Sequence, residues 1–324
     1  MIGSRISLII LITLASQLIV YAPSSLAEQI KYGRKKVEQG YQFDYLWRDS
    51  AAQNQQISFV LSNKTLFDKF RNFRAFKSDI AQSYINKYIV KAWKKSPIPG
   101  AQLNLIKRAG KYQLQVNASS QTLMQQARSR VHELEQEATA DFFNKYYYHS
   151  FVTHDGVSAI KPDHVRIANE TVESLKILKP LILETVSIKN VRMVTNYVLG
   201  FSQAIPYSPL ESRVSSSGAG FNPPNKLLWE NQGDCDSKVT LTAALLRALM
   251  PRIKMALVFI DGHALIGIEV MPQAGETTVN WQGTTYVLAE PTGPATYPLG
   301  QVAPDSLLAI NSGRYTLETF HAEE

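Results

Sequence analysis

Residues 233–250 read Gly-Asp-Cys-Asp-Ser-Lys-Val-Thr-Leu-Thr-Ala-Ala-Leu-Leu-Arg-Ala-Leu-Met, and they decide the fold. From Val239 the run is rich in Ala and Leu, and Pro251 follows it. It therefore predicts a buried helix that stops at about Met250. Asp234 is a natural N-cap, which sets Cys235 in the first turn. The dipole and free N–H groups of a helix start favour a thiolate there. The same N–H groups can receive the negative oxygen of a tetrahedral intermediate. Gly233 leaves room for a substrate backbone. Asp234 and Asp236 work the other way by disfavouring negative charge on sulfur, so the thiol needs a basic partner.

Two hairpins follow the helix. Met255–Ile260 reads as a strand, Asp261-Gly262 as a tight turn and His263–Val270 as the returning strand. A second hairpin turns at Gln282-Gly283 and returns along Thr284–Glu290, where Pro291-Thr292-Gly293-Pro294 breaks the chain. Period-2 alternation puts His263, Leu265, Gly267 and Glu269 on one face, with Gly267 leaving space beside the imidazole. If the returning strands are adjacent, Glu290 reaches one nitrogen of His263 while the other faces Cys235. That is a nucleophile, a base and an orienting carboxylate, the set that acyl-transfer chemistry requires.

The Gly-Asp-Cys-Asp-x-Lys helix start, the Ala-Leu-Leu-Arg-Ala helix, the Gly-His-Ala strand and the strand ending in Glu-Pro-Thr resemble the bacterial transglutaminase-like cysteine peptidase superfamily. The segments Val198–Tyr207 and Asn222–Trp229 are similar to stretches that precede the core in that superfamily. The resemblance covers about residues 190–295 and does not reach residues 28–150. It implies an α+β fold with a papain-like core, the cysteine-bearing helix packed on an antiparallel sheet. It also implies a triad of Cys235, His263 and Glu290, with Glu290 standing where Asp is commoner. Gln232 and Gln203 are the side-chain candidates for an oxyanion donor, with ordinary polar roles equally open to both. No cofactor is expected; Asp234 and Asp236 resemble the acidic flank of calcium-assisted members, although helix capping explains them more cheaply.

The flanking sequence sets the context. Arg5, the apolar run Ile6–Ala22 and Ser25-Leu26-Ala27 read as a signal peptide over residues 1–27, cleaved before Glu28. An exported, periplasmic protein is expected, with an uncleaved inner-membrane anchor as the alternative. Cys235 is the single cysteine of the 324-residue chain, so no internal disulfide can form. Residues 28–150 carry 20 Lys+Arg and 10 Asp+Glu, whereas residues 151–324 carry 13 and 17. A basic front half allows contact with an envelope or another polyanionic surface. Its cations are spaced as on solvated helix faces, and export argues against a nucleic-acid partner.

Residues 28–150 are expected to form a helix-rich module. Within it, residues 28–55 read as an irregular lead-in and Ile57–Leu61 as a strand. A stripe of one or two amphipathic helices runs from Leu66 to Trp93, followed by strands at 102–106 and 112–117 and a helix capped by Ser119 or Ser120 and running to about Tyr146. Residues 149–162 read as a boundary, with the catalytic domain at 160–324. His132, His149, His154, His164 and His321 show no metal-ligand spacing. The function expected is peptide or amide hydrolysis through an acyl-thioester on Cys235, with a protein or peptide as substrate. Protein cross-linking and a non-catalytic binding or assembly module remain the alternatives, and nothing in the residues sets an oligomeric state.

Overall fold

The Gln-rich segment expected to be an irregular lead-in hides an alternation. Phe43, Tyr45 and Trp47 recur at every second position and are all buried, while Gln42, Asp44, Leu46 and Arg48, which alternate with them, lie on the more exposed face. The computed structural model describes residues 27–108, 110–186, 190–212, 216 and 219–320. In it this segment forms β1 (Glu28–Val37) and β2 (Gly40–Arg48), which pair with β3 (Asn54–Leu61) in an antiparallel sheet ordered β1-β2-β3. The expected leader lies outside the described residues except for Ala27.

Next come α1 (Asn63–Phe67) and α2 (Ser78–Lys95), then the hairpin β4 (Ala101–Arg108) and β5 (Lys111–Ala118). The long helix α3 (Gln121–Tyr146) follows, and of the two serines its sequence offers as a cap it is the Ser120 side chain that accepts from Leu123 N–H. The stripe from Leu66 falls on two helices, the second of the readings its spacing allows: α1 ends at Phe67 and α2 starts only at Ser78. Phe70 and Phe73 instead join Tyr148, Ile167 and Phe221 in an aromatic cluster. The expected boundary at 149–162 is a hairpin, β6 (Tyr148–Val152) with β7 (Ser158–Pro162).

The remaining elements are α4 (His164–Leu175), α5 (Leu178–Thr185), α6 (Val191–Ala204), α7 (Pro224–Glu230) and α8 (Cys235–Leu249). They are followed by β8 (Met255–Ile260), β9 (His263–Ile268), β10 (Thr278–Trp281), β11 (Thr284–Ala289), α9 (Pro304–Asn311) and β12 (Thr316–Phe320). The last five strands form one antiparallel sheet in the order β10-β11-β9-β8-β12. The fold is α+β, as expected. Both faces of this sheet are covered. Ala264, Ile266 and Leu257 pack with Leu241 and Leu245 of α8, and Val258, Leu265 and Leu288 pack with Ile310 of α9. This double burial is why α8 and the central strands are apolar almost throughout.

The module boundary needs correction. Phe43, Tyr45, Trp47, Ile57, Phe59 and Leu61 belong to the same core as Val198 and Phe201 of α6 and the apolar face of α8. Trp47 meets Tyr197 and Phe201 edge-on, with ring centroids 5.3 and 5.4 Å away. Helix α6 presents Gly200 here, and a Cβ at that position would stand 3.3 Å from Trp47 Nε1. Residues 28–61 are thus part of the body that carries the site. Helices α2 and α3 and the β4–β5 hairpin have a core of their own, built on Ile89, Trp93, Ala127, Leu134 and Ala138.

Candidate active site

Helix α8 starts where its sequence says it should. Asp234 is extended, and its carboxylate accepts from Ser237 N–H at 3.0 Å and from the Ser237 hydroxyl. That leaves Cys235 as the first helical residue, half-buried and facing a cleft of about 460 Å³. The cleft is also lined by Tyr207, Asp236, Gly262 and His263. Gly233 does not open space for substrate: a Cβ there would meet Leu227 Cδ1 at 2.7 Å, so its role is packing beneath α8. Its backbone is tied to the 206–208 segment through Gly233 N–H to Pro206 O and Ser208 N–H to Gly233 O.

The histidine arrives on the neighbouring strand. The β8–β9 hairpin turns at Asp261-Gly262, with Gly262 at φ +68°, and His263 opens β9. Strand β11 pairs with β9 through Leu288 opposite Gly267 and Ala289 opposite Ile266, so Glu290 emerges beside His263. The His263 Nε2–H donates to Glu290 Oε1 at 2.8 Å, and Glu290 Oε2 accepts from Ala303 N–H at 2.7 Å. Both oxygens of the buried carboxylate are therefore engaged. This fixes the ring and leaves Nδ1 as the nitrogen free to act as a base. Cys235 Sγ lies 3.9 Å from Gly262 O, the residue before His263. Gly267 makes no room beside the imidazole: its missing Cβ is filled by Tyr286, which a Cβ would meet at 2.8 Å. Strand β9 ends at Ile268, two residues earlier than expected.

Gln203 is placed at the site, but in a bracing role. Its amide nitrogen donates to Glu290 O at 2.9 Å and to Tyr297 O at 2.8 Å, which uses both of its hydrogens. Instead of facing an oxyanion, it holds the chain that carries Glu290. Gln232 precedes the helix, and its carbonyl accepts from Asn222 Nδ2 at 3.3 Å. Among the described residues, no three His, Cys, Asp or Glu side chains converge to hold a metal ion. Asp234 serves as the helix cap.

The electrostatics of the thiol run against the sequence expectation. Burial is the main cause that pushes the Cys235 pKa up, and the carboxylates of Asp236 and Asp234 add to it. The Asp236 backbone N–H opposes the rise without cancelling it. At neutral pH the sulfur therefore keeps its proton, and it lies 3.6 Å from Asp236 Oδ1. Burial likewise lifts the Asp234 carboxyl to about 7, with Asp236 adding to the effect and the Ser237 hydrogen bond opposing it. The helix start is real, but its pull on the thiolate is weaker than desolvation plus two neighbouring acids.

Behind Asp236 stands a group of residues that carried no sequence motif. His164 is fully buried in α4. The Thr240 hydroxyl donates to Asp236 O at 2.6 Å, so its lone pair takes the Nδ1–H of His164 at 3.1 Å. His164 Nε2 then faces Asp236 Oδ2 at 3.6 Å. Burial, with Lys161 and His149 nearby, holds the His164 pKa well below its ordinary value, so the ring is neutral. Lys161 pairs with Glu318 at 2.8 Å and lies over the Phe259 ring. On the rim, His154 meets Asp261 at 2.7 Å and Arg314 meets Asp261 at 3.3 Å. The packing of α4 on α8 and the order of the strands bring these residues together, so no local pattern announces them.

Asp236→Asn tests this balance. Removing the charge nearest the sulfur lowers the thiol pKa, and a fall of about one pH unit raises the thiolate fraction roughly tenfold. Alkylation of Cys235 at pH 8 is therefore expected to speed up by roughly that factor in Asp236→Asn. A rate equal to that of the unmodified protein would show that Asp236 does not control the thiol.

No family model, curated protein or solved structure matches the chain.

Proposed function

We propose that the protein is an exported cysteine-dependent acyl-transfer enzyme of the transglutaminase-like kind, built on a papain-like core and acting as a peptidase or amidase. One observation carries the reading: the His263–Glu290 pair, clamped by Ala303 N–H, shares a cleft with a cysteine at a helix start. In the proposed reaction Cys235 Sγ attacks an amide carbonyl while its proton passes to His263 Nδ1. The backbone N–H of Cys235 then stabilises the oxyanion, with Gln232 as the side-chain candidate. The C–N bond breaks as the imidazolium protonates the leaving amine. Water activated by the same imidazole releases the acyl group as a carboxylic acid. Because the thiol is neutral at rest, the proton transfer belongs to the attack itself and no standing ion pair is involved. No metal or cofactor takes part in this scheme, and calcium stays outside it.

The raised thiol favours a second reading, a non-catalytic exported scaffold. A single incubation separates the two. The protein and its Cys235→Ser variant are mixed with an unfolded protein and a fluorescent primary amine. New N-termini that depend on Cys235, without amine incorporation, are the expected result. Incorporated amine would shift the reading to a cross-linking transglutaminase, and no change in the substrate would favour the scaffold. Periplasmic material should begin at Glu28, the first residue of β1; intact Met1 in a membrane fraction would indicate an anchor. Among the described residues, no helix is long and apolar enough to cross a membrane.

A further inference from the structure

A second cleft, of about 550 Å³, lies on the other side of residues 219–221 from the cysteine. Lys69, Arg71, Arg74, Lys77 and Lys226 line it, together with Phe67, Phe70, Phe73, Ile80 and Pro223, and no carboxylate is among its lining residues. Five cations gathered around a concave space repel one another and attract anions. Their existing partners leave most of that charge uncompensated. Lys69 donates to Glu170 O and Arg74 to the Arg71 and Phe73 carbonyls, which are neutral acceptors. Lys226 has a carboxylate partner, Glu230 at 3.7 Å.

The two clefts are joined through the chain. Ala219 lines the cationic cleft, and the next residue, Gly220, lines the cleft of Cys235. Phe221 is buried between them, with Phe73 5.3 Å away on one side and His164 5.0 Å away on the other. The aromatic half of the lining suits apolar side chains and gives a bare polyanion nothing to bury.

We infer that this cleft is a docking site for an acidic, aromatic-bearing segment of the polypeptide substrate, placed next to the bond presented to Cys235. The inference rests on the peptidase reading for its choice of substrate, but binding can be measured without turnover. A fluorescent peptide alternating Glu and Phe is titrated against full-length mature Cys235→Ser protein by polarisation, with a Lys-Phe peptide as control. The same titration is run on Cys235→Ser carrying Arg71→Glu and Lys77→Glu. Both positions are exposed, and circular dichroism checks that the fold is kept. Saturable binding of the Glu-Phe peptide, weakened at least tenfold by the double reversal and by added salt, is the expected result. Equal binding by the reversed protein overturns the inference. So does stronger binding of polyphosphate or heparin, with displacement of the peptide. Peptide binding with no hydrolysis by the Cys235 protein would refute the peptidase reading alone.

Discussion

His263→Ala is expected to lower turnover of an amide or ester substrate by about 10⁶-fold, the scale seen when a triad base is lost. The size of the effect follows from the resting state of the sulfur. Burial, Asp236 and Asp234 hold the thiol protonated, so without a base almost no nucleophile exists at neutral pH. Glu290→Gln keeps the shape of the pair but loses the charge that stabilises the imidazolium. A fall on the order of 10⁴ is expected, between the loss of the base and no loss. Steady-state rates of both variants against an activated ester check these values. Equal rates in all three proteins would remove His263 and Glu290 from the chemistry.

Trp47→Ala is the most damaging single change expected far from the cleft. The indole is 1% exposed and packs against Tyr197 and Phe201 of α6. Truncating a buried aromatic of this size costs about 3–5 kcal/mol, a large share of the roughly 5–15 kcal/mol that holds a typical domain. Denaturant unfolding should show a much lower midpoint. The same packing predicts that a fragment starting at residue 160 fails to fold, since it lacks Phe43, Tyr45, Trp47 and Phe59 of the shared core. A cooperative transition for that fragment, matching the full chain, would contradict the shared core.

The elements around the cysteine were legible because each was marked locally. Asp234 caps α8, Asp261-Gly262 turns the hairpin, and Ser120 caps α3, all through short-range chemistry that a sequence displays. The β1–β2 pair was missed because its polar residues occupy the outer face, so composition masked an alternation of Phe43, Tyr45 and Trp47. Helix α5 was missed because Leu178–Thr185 is only two turns long. At the site, the residue types of the proposed triad were readable, but their environment was not. That the thiol lies next to Asp236, and that neutral His164 stands behind it, depends on α4 packing against α8. Gly233 and Gly267 illustrate the same limit. A sequence shows that a side chain is missing, but not which neighbour fills the space.

Acylation of Cys235 followed by intact-protein mass spectrometry is the most direct test of the triad. A small activated ester is added to the unmodified protein, His263→Ala and Glu290→Gln, and the rate of single-site modification is read from pH 5 to pH 10. Rapid acylation of the unmodified protein is expected near neutrality, well below the range in which the buried thiol ionises unaided. Glu290→Gln should acylate slowly, and His263→Ala should barely react until strongly alkaline pH ionises the buried thiol unaided. Three superimposable profiles, rising only in the alkaline range, would contradict the triad. Cys235 would then be a buried thiol, not a nucleophile.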